Sequence, residues 1–260
     1  MKEKINYIVR ELLNIHKQLK ETRIASSLSL VDILAVLYYK ILNVYPNDPL
    51  REERDRVIIS KAHGALALYP ILADLGFFDK EELKKIGKNF LGSIPDPLIP
   101  GFETINGSLG HGVGVGCGIA LALKYKKIDS NVVVIVGDGE LNEGSIWEGV
   151  IFARAKNLNN LTIIVDANKI SMQDFSKNIL DLEPLEDKFK AFHFDVFTCN
   201  GHDIEELLIV LENIHKRDKP KVIIANTIKG YRVPSLENKS LSHVMSLEDG
   251  EIDKLLRIFS

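Results

Sequence analysis

Apolar residues recur over the first twenty positions at Ile5, Ile8, Leu12, Ile15 and Leu19, the spacing of a helix with one buried face. The pattern breaks between Thr22 and Leu28. Ser29, with Asp32 three residues on, reads as a helix start, and Leu30–Leu42 as a largely apolar, buried helix that Pro46-Asn-Asp-Pro49 ends. The period then changes. Arg56–Ser60, Val132–Val136, Leu161–Val165, Phe194–Cys199 and Lys221–Ala225 are short runs rich in β-branched or aromatic residues. The most continuous of them have the pattern of strands covered on both faces of a parallel sheet. Helical stretches separate the runs: Lys61 through Leu75, Asp79–Asn89, Gly110–Lys126, Glu143–Lys156 with Asn142 as its cap, Glu183–Phe192, and Ile204–His215 capped by Asp203 with Glu206. From about Lys229 the chain is a polar tail with a short last helix near Ile252–Ile258. Strands alternating with helices predict an α/β fold, a doubly wound, mostly parallel sheet of five or six strands with helices on both faces.

No linker, internal repeat or low-complexity tract divides the 260 residues, so one domain over 1–260 is expected. Hydrophobic content of 45% with 27% charged residues is ordinary for a globular protein. A net charge of −3 removes the electrostatic case for nucleic acid. The charged, amphipathic start is not a signal peptide. The most apolar stretch, Leu28–Leu42, contains Asp32 and Lys40, so no membrane span is expected. Cys117 and Cys199 share no metal-like or redox spacing and fit a reduced, cytoplasmic setting.

The candidate chemistry gathers where two strands end. Asp138 falls just beyond the strand Val132–Val136, and Asn168 just beyond Leu161–Val165. Ligands of open α/β sheets sit outside the carboxyl ends of the strands, at a switch point in strand order. Two oxygen donors there, with Gly137 and Gly139 letting a ligand approach the backbone, suit a hard cation such as Mg²⁺, which is usually shared with substrate phosphates. Singly, Asp138 and Asn168 are also ordinary turn residues; their joint spacing favours the ligand. The long loop from Leu91 to Ser108 has the length of a functional one. Glycine at alternate positions from Gly110 to Gly118 costs a helix about 1 kcal/mol each relative to alanine. That cost is expected where the helix presses on another backbone (Gly114, Gly116, Gly118) or on a ligand (Gly107 to Gly112).

Gly137-Asp-Gly139, with Asn168 thirty positions after Asp138, looks like the thiamine diphosphate motif. The longer string Gly137-Asp-Gly-Glu-Leu-Asn-Glu-Gly-Ser-Ile-Trp-Glu148 resembles the transketolase family, specifically its amino-terminal, diphosphate-binding half. The similarity runs through nearly the whole chain: Asp55–Gly64, Gly107-Ser-Leu-Gly-His-Gly112, Leu182–Phe192 with Asn200-Gly-His-Asp203, and Glu237-Asn238 with His243. The resemblance implies thiamine diphosphate and Mg²⁺, or Ca²⁺ or Mn²⁺ in its place. The metal would be held by Asp138, the Asn168 side chain and the Ile170 carbonyl. It implies cofactor contacts from His63, Gly107, Gly137, Gly139 and Leu109, the last against the thiazolium. His63 and His243 would orient substrate oxygens or move protons. Glu143 would link to a glutamate of a partner across an interface.

Two positions depart from the family: Arg23 and Ile94 stand where it has sugar-handling histidines. Arg23 reads equally as a fork for phosphate or carboxylate and as a surface residue. The family also continues into a pyrimidine-binding domain bearing the glutamate that activates the cofactor. The resemblance therefore implies one half of a split transketolase, paired with a separate carboxyl-terminal subunit in an α2β2 heterotetramer. It would pass two carbons from a ketose to an aldose, acting on a sugar phosphate or modified sugar. Two alternatives stand beside it. One is the alpha subunit of another thiamine enzyme, of 2-oxo-acid dehydrogenase type, against which Asn142–Glu148 argues. The other is a non-catalytic, regulatory module that keeps the fold. Plainer readings also stand for single residues: His63 as packed core, His243 as exposed, His111 as structural, His202 as a turn residue, Trp147 as core, and Glu143 as a first-turn acid.

Overall fold

In the computed structural model, residues 1–20, 23–94, 96–105, 107–172 and 174–259 are described; Thr22, where the first helical pattern breaks, lies outside them. The five β-rich runs become β1 (Arg56–Ile59), β2 (Val132–Gly137), β3 (Leu161–Ala167), β4 (Asp195–Asn200) and β5 (Lys221–Asn226). They form one sheet in the order β1-β2-β3-β5-β4, with every pairing parallel. The inner strands β2 and β3 are buried along their whole length, which is why their sequences are nearly continuous Val and Ile. Their register sets Val136 beside Val165 and Gly137 beside Asp166, so Asp138 and Asn168 leave neighbouring strand tips.

The helices are α1 (Lys2–Leu19), α2 (Ile24–Leu28), α3 (Val31–Val36), α4 (Leu68–Leu75), α5 (His111–Lys126), α6 (Gly144–Ala155), α7 (Ser176–Ile179), α8 (Leu185–Ala191), α9 (Ile204–Leu211) and α10 (Asp249–Ile258). Side chains alternate across the sheet and split the core. Val133, Ile135, Ile164 and Ile223 pack with α1, α3, α4, α9 and α10. Val134, Val136, Ile163, Val165 and Val222 pack with α5, α6 and α8. The strand order explains the split. The steps from β1 to β2 to β3 and outward to β4 run one way, whereas the step from β4 back to β5 runs the other. Right-handed crossovers then place α9 on the opposite face from α6 and α8. The chain leaves β2 and β3 toward the α5–α6–α8 face, through Leu141, Ile146 and Leu185. It leaves β1 and β5 toward the other, through Ala65, Leu66, Val233 and Leu236. This divergence opens a crevice at the carboxyl ends, the site expected of such a sheet.

Several local expectations change. The break expected between Thr22 and Leu28 holds the short helix α2, and α3 runs on into a wide π-helical turn at Leu37–Ile41. The helix expected at Asp79–Asn89 is a 3-10 turn, Lys80–Lys85. Asn142 is not the cap of α6: it closes a 3-10 turn, Gly139–Asn142, and its amide donates to the Gly139 carbonyl at 3.1 Å, leaving Glu143 at the N-cap. Of the three glycines expected to pack tightly, only Gly116 does, because a side chain there would collide with Val134; Gly114 and Gly118 have nothing within 4 Å. Gly112 is required by the protein itself, since a Cβ would strike Ser60. The segment from Lys229 is polar in composition yet packed, with Val233, Leu236, Leu247, Ile252 and Leu255 buried. Its apolar positions are too widely spaced to show a period. No helix among the described residues is long and apolar enough to cross a membrane.

Candidate active site

Asp166, one pairing position before the end of β3, is the fully buried floor of the site. It accepts from the Lys61 ammonium and the Thr227 hydroxyl. It also accepts from Ser29 Oγ at 2.7 Å and Asn168 Nδ2 at 3.1 Å. Burial alone would raise this carboxyl, but the Lys61 charge and these donors outweigh it and hold it below its ordinary value. Asp166 also orients Asn168: the amide NH2 faces the carboxylate, so the oxygen faces away.

Asp138 and the Asn168 oxygen lie above this floor. Asp138 accepts from Gly139 N at 2.8 Å, Lys169 N at 2.6 Å and Ser176 Oγ at 3.3 Å. Among the described residues no cation touches it. Burial, then the charge of Asp166, push its carboxyl above the ordinary value, and the Gly139 and Lys169 amides only partly oppose this. The Asn168 oxygen accepts from Ile170 N at 3.1 Å, closing a turn just beyond the strand. Lys229 donates its ammonium to the Ile170 carbonyl at 3.0 Å. Burial, then the Lys61 charge, lower the Lys229 ammonium to about 8.

These groups suit a metal-bound diphosphate. The donors are all hard oxygens. Among the described residues there is no cluster of three or more His, Cys, Asp or Glu able to cage a metal, so further ligands would come from the bound group. A Cβ at Gly137 or Gly139 would make only ordinary contacts, with Lys61 and Ser171 respectively. The protein's own packing therefore does not demand glycine at either place, and the two N–H groups are held by carboxylates, Gly139 by Asp138 and Gly137 by Glu140. Asp138 and Asn168 also border a crevice of about 770 Å³ that Asn200, His202, Asn226 and Asn238 line as well.

The two proposed catalytic histidines meet although 180 residues separate them. The rings of His63 and His243 stand edge to face with centroids 5.0 Å apart. His63 is exposed, whereas His243 is buried and its Nδ1 lies 3.3 Å from Ser26 Oγ on α2. Ser27, the next residue, donates to the His63 carbonyl at 3.1 Å. Burial, then Lys229, push His243 down to about 3; partial loss of water around the still accessible His63 ring, then Arg23, lower His63. Both rings are neutral bases at neutral pH.

A third group lies beside the start of α5. Glu140 is buried and gathers it, accepting from Ser60 Oγ, from Gly110 N at 2.9 Å and from Gly137 N at 3.2 Å. Gly110 has a φ of 84°, a conformation natural to glycine, and its Cβ would strike Glu143 and Ser145. Leu109 and Glu143 are exposed, and Gly107 faces open space. His111 bonds the Leu109 carbonyl at 3.2 Å. Trp147 packs against Phe189 and Phe192 as core. The exposed apolar side chains Val115, Ile151 and Phe152 continue this surface along α5 and α6.

The family model described as transketolase, thiamine diphosphate binding domain, matches residues 2–260. The chain belongs to the transketolase family. It is 34% identical over 236 residues to a 6-deoxy-6-sulfo-D-fructose transketolase subunit of a Clostridium species, covering 87% of this chain and 84% of that one. It is 38% identical over 234 residues to one of the subunits named for an apulose-4-phosphate transketolase in Actinobacillus succinogenes, covering 89% and 85%. Among solved structures, the transketolase of Campylobacter jejuni superposes with a TM-score of 0.92 at 30% identity. That match covers 99% of this chain but only 42% of the other. These two relatives of similar length are named as subunits, and the Campylobacter jejuni transketolase is more than twice as long. Within this transketolase-family domain, sequence reading passed over Lys61, Glu140, Asp166 and Lys229. Asp166 left the clearest signal, an acid inside an otherwise apolar buried run.

Proposed function

We propose that residues 1–260 form one diphosphate-binding domain, the amino-terminal subunit of a split transketolase that transfers a two-carbon ketol unit from a ketose to an aldose. The observation that carries this reading is that Asp138 and Asn168 leave adjacent strand tips, next to a closed Asp166–Lys61 pair. Asp138, Asn168 and Ile170 hold Mg²⁺, or Ca²⁺ or Mn²⁺ in its place. Gly139 offers the diphosphate its N–H, which otherwise donates to the Asp138 carboxylate at 2.8 Å, and Lys229 adds a buried positive charge. When bound, thiamine diphosphate supplies the carbon nucleophile for ketol transfer.

Gly107, Leu109 and Gly137 line the approach, Leu109 offering an apolar surface to the thiazolium. His63 and His243, neutral and adjacent, orient substrate oxygens and accept or return protons. Arg23 has no ion pair among the described residues, and its charge reaches both rings, which favours an oxyanion on the sugar. Glu143, exposed beside Leu109, faces the carboxyl-terminal subunit, and the apolar surface of α5 and α6 is the kind a partner covers. Pairing twice over gives an α2β2 assembly in the cytoplasm.

Calorimetric titration with magnesium and thiamine diphosphate, with the chain alone and mixed with a pyrimidine-domain subunit, tests this. Binding is expected in the mixture and lost when Asp138 and Asn168 are both alanine. Unchanged heats in that double variant would sink the reading. Ketol-transfer assays of the pair then separate this enzyme from a 2-oxo-acid decarboxylating one and from a module without catalysis.

A further inference from the structure

A second buried ionic cluster lies behind the crevice. Asp32, on α3, is fully buried. Its carboxylate accepts from both terminal nitrogens of Arg232, at 2.9 and 2.7 Å, the paired geometry in which arginine binds carboxylate best. It also accepts from His202 Nδ1 at 2.8 Å. The other ring nitrogen of His202, Nε2, accepts the Ile228 N–H at 2.8 Å, so the ring proton sits on Nδ1. Tyr231 stacks on the same ring, with centroids 3.7 Å apart. His202, read from sequence as a turn residue, thus joins α3 to the exit of β5.

The segment held in this way is contorted. Gly230 and Arg232 have φ of 76° and 73°, a region that side chains other than glycine rarely adopt. Gly230 N donates to the Ala25 carbonyl at 3.0 Å. Lys229 lies between these anchors. It is 4% exposed, and its ammonium finds the carbonyls of Ile170 at 3.0 Å and Ser171 at 3.4 Å, with no carboxylate within ion-pair distance among the described residues. A lysine stem normally carries its charge out to water. Two carbonyls are a weak reason for this one to stay, so its place is imposed from the backbone on either side.

We propose that Asp32, His202 and Arg232 act as a clamp of positioning residues that keeps Lys229 facing the Ile170 carbonyl, and so sets how tightly the site grips a metal-bound diphosphate. The proposal rests on the reading that Asp138, Asn168 and Ile170 face such a group. Its logic is coupling. The clamp touches the diphosphate site through Lys229, so losing the clamp should matter only while Lys229 is present.

The test is calorimetric titration of the full chain with magnesium pyrophosphate, for wild type, Lys229→Met, Arg232→Lys and the double variant, with urea unfolding of each. Arg232→Lys keeps the charge and removes the fork. Each single variant is expected to weaken binding roughly tenfold, as changes behind metal ligands commonly do. The double variant should bind no more weakly than Lys229→Met, and the urea midpoint of Arg232→Lys should stay near wild type. Wild-type affinity in Arg232→Lys, or losses that multiply in the double variant, overturn the clamp. If Arg232→Lys does not fold, His202→Phe serves in the same cycle, since it keeps a ring against Tyr231 and removes both hydrogen bonds. If wild type itself does not bind magnesium pyrophosphate, the diphosphate reading fails and takes the clamp with it; failure of the clamp alone leaves wild-type binding intact.

Discussion

Two aspartates stand at neighbouring strand tips of one sheet and meet opposite fates. Asp166 is fully buried and held by an ammonium, two hydroxyls and an amide, with its carboxyl below the ordinary value. Asp138 is held by two backbone amides and a hydroxyl, is touched by no cation among the described residues, and has its carboxyl raised. The difference separates an acid that serves the fold from one that, on the proposed reading, serves a ligand. A buried carboxylate whose charge is already matched has nothing left to attract. One whose charge is unmatched, with its sister acid close behind, gains most from a cation.

The sharpest way to break this contrast is to exchange the roles by mutation. Asp166→Ala leaves the Lys61 charge buried without its partner and should cost about 3–5 kcal/mol of stability, read as a lower urea midpoint. Asp138→Ala should leave that midpoint unchanged or higher, while binding of magnesium with thiamine diphosphate weakens by more than about 100-fold in calorimetry. Equal losses of stability in the two variants would erase the distinction.

The open half of the site also predicts a pH response. The His243 ring is held near a pKa of about 3, whereas in the unfolded chain it takes up a proton near 6.5. Stability should therefore fall as pH drops from about 6.5 toward about 3, with a slope from this one proton of up to about 1.4 kcal/mol per pH unit. His243→Gln should flatten that slope in urea titrations at successive pH values. The smallest effect belongs to the exposed Glu143. Glu143→Gln should change the stability of the free chain by less than about 0.5 kcal/mol, yet lower ketol transfer once the partner subunit is present.

The sheet was legible because β2 and β3 are buried on both faces, and burial writes itself as a core of consecutive Val and Ile in each. The positions of Asp138 and Asn168 at neighbouring strand tips were legible because each comes within three residues of the end of such a run. What stayed hidden depends on distance along the chain. The value of Lys61 lies in Asp166, 105 residues away, and that of Arg232 in Asp32, 200 residues away. No periodicity carries that information. The glycines of α5 misled for a related reason: one helix presents Gly116 to Val134 and Gly114 to open space, and composition cannot tell those faces apart. The segment after Lys229 read as a polar tail because its buried residues are single anchors rather than a stripe.

The exposed Val115, Ile151 and Phe152, with the bare glycines between them, have a practical consequence for any cell that makes this chain. On the proposed pairing, copies made in excess of the partner would meet one another through that strip, so balanced synthesis of the two would protect solubility.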